Sequence, residues 1–123
     1  MIDAKTSLRS TLTGSATLTA LVPTTRITPA WLTNTTTLPC VIYRIENQIR
    51  QPPDYYDNVP RSETALARID IFQDANKSPF AIESAIDTAM VAARWNLESR
   101  TDVLDDTGKV HVSMLYSQRL FTQ

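Results

Sequence analysis

Glycine is almost missing from this chain: its 123 residues include only Gly14 and Gly108. A loop that cradles phosphate needs several glycines so that backbone N–H groups can converge, and two isolated ones do not supply it. Cysteine and histidine are each present once, as Cys40 and His111. A lone cysteine makes no intrachain disulfide, which suits a reducing cytoplasm, and with one histidine it does not complete a zinc site. A Cys–His nucleophilic pair also lacks the third group that would orient the base. Cys40 therefore reads as a small hydrophobe at a strand start, and His111, between Val110 and Val112, as a strand residue. No apolar run approaches the roughly 18 residues needed to cross a bilayer. The opening Met-Ile-Asp-Ala-Lys-Thr-Ser-Leu has neither the basic start nor the apolar core of a secretory signal. Charge of one sign is missing too: 12 basic residues face 13 acidic ones, so there is no basic field for duplex nucleic acid.

What remains is an ordinary globular composition, 42% hydrophobic and 20% charged, with no repeat or linker to divide it. One domain over residues 1–123 is expected, able to bury roughly two-thirds of its unfolded surface. The basic residues are skewed, since only Lys5, Lys77 and Lys109 are lysines and the other nine of 12 are arginines. Arginine is enriched and lysine depleted at protein interfaces, where the planar guanidinium makes paired contacts.

Periodicity sets the expected elements. Residues 2–12 place Ile2, Leu8 and Leu12 on one side and Lys5 and Arg9 on the other, with Asp3 as N-cap and Gly14 after the end. A second short helix runs from Ser15 to Leu21, capped by Ser15 and stopped by Pro23. Residues 23–37 read as an irregular or short-strand connection that packs Trp31 at the core edge. Residues 40–50 and 62–73 alternate as strands, with Val41, Tyr43, Ile45 and Asn47 inward in the first and Ala65, Ala67, Ile69 and Ile71 sharing a face in the second. Ser78-Pro79 opens a helix whose Ile82, Ala85, Ile86, Ala89 and Met90 face the core, with Glu83 and Asp87 towards solvent. Two further strands, 97–104 and 109–121, meet at Asp105-Asp106-Thr107-Gly108, with Val110, Val112, Met114 and Tyr116 on one face of the last. The expected fold is α+β in the order α-α-β-β-α-β-β, a four-stranded, mainly antiparallel sheet of two hairpins with helices on one face.

Chemistry is scarce on this frame. Asp102, Asp105 and Asp106 near Gly108 lack the calcium-loop register and its distal Glu, so a solvated turn is expected. No catalytic residue, metal or cofactor is assigned. The segment 51–61 stands out because hairpin loops usually have two to five residues. Pro52-Pro53 and Pro60 stiffen it, and Tyr55-Tyr56 sits between Asp54 and Asp57. Tyrosines on a stiff loop bury large area at small entropic cost. The candidate contact residues are Asp54, Tyr55, Tyr56, Asp57, Arg61, Asp105, Asp106 and Lys109.

The order of segments resembles the tail-completion, or tail-terminator, proteins of long-tailed bacteriophages, also known as head-to-tail joining proteins. The segments that carry this likeness are the opening helix, Leu-Thr-Ala-Leu-Val at 18–22 before Arg-Ile at 26–27, and Leu-Pro-Cys-Val-Ile-Tyr at 38–43. The polar loop, Ala-Arg-Ile-Asp-Ile-Phe at 67–72, the alanine-rich helix and the terminal hairpin complete it, so that it spans nearly the whole chain. The resemblance implies a structural virion protein, assembled in the host cytoplasm, that closes into a homo-oligomeric ring, often a hexamer. Such a ring caps the tail tube, ends its polymerisation and offers a surface to the head connector, while DNA passes through the lumen. It implies no catalytic residues. Another head-completion or minor tail protein is the alternative, and behind it a small α/β binding module or an enzyme with a pocket between subunits.

Overall fold

The computed structural model describes residues 3–29, 38–50, 55–56, 59–60, 62–103 and 108–121. Two helices come first, α1 (Ala4–Thr13) and α2 (Ala16–Leu21), and both are capped as their sequences require. Asp3 accepts hydrogen bonds from the Thr6 backbone N–H at 3.1 Å and hydroxyl at 2.7 Å, and these bonds hold its carboxyl below the ordinary range. Ser15 accepts from Leu18 N–H. Gly14 follows α1 with φ −81°, not left-handed, and a Cβ there would come within 2.7 Å of the Ser10 carbonyl oxygen. This glycine is needed for close approach, not for its φ.

A single turn leads into β1 (Ile27–Pro29), then β2 (Cys40–Arg50), the two-residue strands β3 (Tyr55–Tyr56) and β4 (Val59–Pro60), and β5 (Ser62–Gln73). Helix α3 (Phe80–Ala92) and the hairpin β6 (Asn96–Val103) and β7 (Val110–Phe121) complete the chain. The main sheet has five strands in the order β1-β2-β5-β7-β6, not the four expected. The extra strand is β1, which runs parallel to β2 and pairs Ile27, Thr28 and Pro29 with Val41, Ile42 and Tyr43. Three residues ending in proline carry too little alternation to announce a strand. A separate ribbon pairs Tyr55 with Pro60 and Tyr56 with Val59, so the overlong connection forms structure of its own.

The helices cover one face of the sheet. Leu8, Leu12 and Leu18 meet Ile82, Ile86 and Met90 there, above Val41, Tyr43, Ala65, Ala67, Ile69, Ile71, Val112, Met114 and Tyr116. The small Ala65 and Ala67 admit close approach of the helical layer. The inward set of β2 departs from strict alternation at its far end. A bulge between Ile45 and Asn47 places Asn47 opposite Leu66, which moves it to the uncovered face.

Helix α3 begins one residue later than expected, with Pro79 as the cap residue, while the Ser78 hydroxyl accepts from Phe80 N–H. Its end is a Schellman closure: Trp95 N–H reaches the Met90 carbonyl and Arg94 N–H the Val91 carbonyl. Arg94 takes the left-handed conformation there, at φ 69°, where glycine is usual. The closure turns the chain so that Trp95 is buried and β6 starts immediately. Gly108 has φ 79° before β7, consistent with the expected hairpin, while Asp105, Asp106 and Thr107 lie outside the described residues.

Candidate interaction surfaces

The expected solvent side of α3 is not free. Glu83 is buried and paired with Arg100, which reaches across from β6 and also holds Asp102 at 3.1 Å. These bonds push the guanidinium pKa further upward, mainly through Glu83. Asp87 accepts from the Tyr116 hydroxyl at 2.8 Å. Burial, then that bond, raises the phenol well above its ordinary value of 10.0. Hydropathy period alone put both acids outward; the cations and hydroxyls that satisfy them come from the last two strands, far along the chain.

What α3 does expose is uncharged. Phe80 is 72% and Val91 57% accessible. Beside Phe80 runs a groove of about 810 Å³ between α1, α2 and α3, lined by Ser10, Gly14, Thr17, Leu21, Ser84 and other small or uncharged residues. None of its lining residues is ionisable, so it offers hydroxyls and apolar surface but no acid–base pair. Exposed aromatic and aliphatic side chains around an uncharged groove fit a contact surface better than a reaction centre.

The helix-free face of the sheet is mixed, and its polar side chains are cross-linked. Arg68 pairs with Glu46 and donates to the Ser113 hydroxyl, both at 2.7 Å. His111 lies 3.0 Å from Asp70 and stacks on Phe72 with centroids 4.2 Å apart. The sequence reading placed His111 in a strand without a role; its acidic neighbour follows from the antiparallel register, which sets Phe72 opposite His111 and brings Asp70 beside it. Cys40 is buried, and burial raises its thiol pKa, which leaves it a poor nucleophile. Among the described residues, no three His, Cys, Asp or Glu side chains are grouped to hold a metal ion. Nor is any helix among the described residues long and apolar enough to cross a membrane.

The expected contact residues divide. Tyr55 and Tyr56 form the first strand of the small ribbon, and Lys109 sits half-buried before β7. Asp54, Asp57, Arg61, Asp105 and Asp106 lie outside the described residues, as does Trp31. The surface that the sequence reading missed is the helical groove, for which Phe80 just after Ser78-Pro79 was the available signal.

No protein-family model matches this chain, and no curated protein matches it. Among solved structures, it shares its fold with a chain of the virion of a native gene transfer agent particle. That match has a TM-score of 0.60 at 16% identity and covers 94% of this chain and 92% of the other. A likeness at this identity establishes the fold, and it extends over essentially both chains.

Proposed function

We propose that this protein is a structural part of a phage-type virion, and that it acts at the head–tail junction as a ring that caps the tail tube. The observation that carries this reading is the fold match to a virion chain over 94% of this chain and 92% of the other. The exposed Phe80 and Val91, the uncharged groove and, among the described residues, the unpaired outer edge of β6 support it, because a subunit of a closed ring must present at least two different patches. The ring ends tube polymerisation by covering the last tube layer and offers its other side to the head connector. The near-neutral charge suits a lumen through which DNA slides without being held.

In this reading the ribbon-bearing segment 51–61 and the turn at 105–109 reach towards tube and connector. Deleting Pro53–Asn58 then leaves the fold intact but lowers incorporation into particles; incorporation at the normal level refutes that role. The proposal as a whole is tested by removing the gene from its phage or phage-like element. Tubes of unregulated length and heads without tails are expected. Tails of normal length joined to heads would overturn it.

A further inference from the structure

Helix α3 closes on a residue that its backbone does not favour. Arg94 holds φ 69°, in the left-handed region where glycine is usual because a Cβ is strained there. A cation near a helix C-terminus gains from the helix dipole, but the gain falls off beyond the last turn, and the last turn of α3 has no basic residue. The Arg94 side chain is exposed and, among the described residues, makes no hydrogen bond or ion pair. The monomer therefore carries the strain with no side-chain contact to set against it.

Arg94 also stands at one end of the groove between α1, α2 and α3. The lining reaches from Phe80 and Ala81 in the first turn of α3 to Ala92 and Ala93 at its close, directly before Arg94. At 1.5 Å per residue this is a track of roughly 18 Å. The opposite wall belongs to residues 10–25, a stretch with no ionisable side chain. A charge buried against such walls loses its hydration without gaining a partner, so the occupant presents an uncharged face along the track. Where the track ends, the unpaired guanidinium suits a carboxylate, which it can hold by two parallel hydrogen bonds. A second copy of this chain has no such group to spare among the described residues, because each carboxylate there is already held by a group of its own chain. The carboxylate therefore comes from a different protein.

We infer that this groove is the docking site for a segment of another virion protein, one that lays an uncharged face along the track and pairs a carboxylate with Arg94. The inference rests on the virion reading above and separates this contact from ring closure, which falls to other surfaces. Purified tail tubes and purified tail-less heads of the same element are the probes, each co-sedimented with the full chain. Arg94→Gly relieves the backbone, so urea melts show a fold at least as stable as the natural one, and sedimentation velocity shows unchanged self-association. Its binding to tubes or to heads still weakens at least about tenfold. Arg94→Lys keeps the charge and recovers part of that loss, while Ser84→Trp fills the groove and weakens the same contact. Added salt weakens the wild type more than Arg94→Gly. Wild-type rings whose binding to both tubes and heads survives Arg94→Gly overturn the inference and leave the ring reading intact. Self-association that weakens in Arg94→Gly, with binding to tubes and heads unchanged, seats a second copy in the groove and overturns it too. A wild type that binds neither tubes nor heads overturns the virion reading as well.

Discussion

Replacing Arg100 with methionine removes the cation that holds β6 against α3 while keeping most of the side chain's volume. Glu83 then stays in place with its side chain only 11% exposed and no counter-charge from Arg100. Breaking a fully buried pair in this way costs about 3–5 kcal/mol. Here the guanidinium is 40% exposed, so solvent already screens part of the attraction. The expected loss is about 2 kcal/mol, a substantial share of the roughly 5–15 kcal/mol that stabilises a domain. Urea denaturation of dilute monomer measures it, and Glu83→Gln in the same background identifies the cause. If the cost is an uncompensated buried charge, Gln recovers more than half of it. A loss below about 0.5 kcal/mol, or one that Glu83→Gln leaves unchanged, refutes the claim that this pair fixes the edge strand.

Tyr116 holds its proton above pH 10 because burial and its bond to Asp87 favour the neutral phenol. The sign is that of a raised folded-state pKa: this contribution is complete below pH 10 and is lost as pH rises through the higher folded value. Ultraviolet titration should find one of the four tyrosines ionising only together with unfolding; four ordinary titrations in the folded protein contradict it. Arg94→Gly relieves a left-handed non-glycine residue and should stabilise the chain by roughly 1 kcal/mol in thermal or urea melts, whereas a loss of that size would mean the arginine side chain matters more than its backbone strain. Phe80→Glu places a charge on a side chain 72% exposed, so the monomer's melting should stay within about 0.5 kcal/mol while particle incorporation falls; normal incorporation removes the helical groove from the account.

Most of the covered core was legible because it depends on local period. Alternation in β5 and β7 identified Ala65, Ala67, Ile69, Ile71, Val112, Met114 and Tyr116, all of which are buried. Asp3 and Ser15 announced their caps, since an N-cap is decided within one turn. The failures are non-local. β1 is too short for a period, and its existence depends on β2 offering an edge from residues further along. Glu83 and Asp87 read as solvent-facing because partners on β6 and β7 cannot be seen from α3's own sequence. Asn47 was misplaced by a bulge, which flips the alternation that had been used to assign it. The candidate surface fared similarly. Tyr55-Tyr56 drew attention by composition, whereas the groove between the helices emerges only once their packing is known.

The central claim is that this chain closes into a ring that sits on tail tubes. Multi-angle light scattering of the purified protein, with negative-stain imaging after mixing with purified tubes, tests it most directly. The account predicts a discrete homo-oligomer with a central hole, seated at tube ends and stopping their growth. A 13.8 kDa monomer that forms no ring and leaves tube ends bare and growing contradicts it.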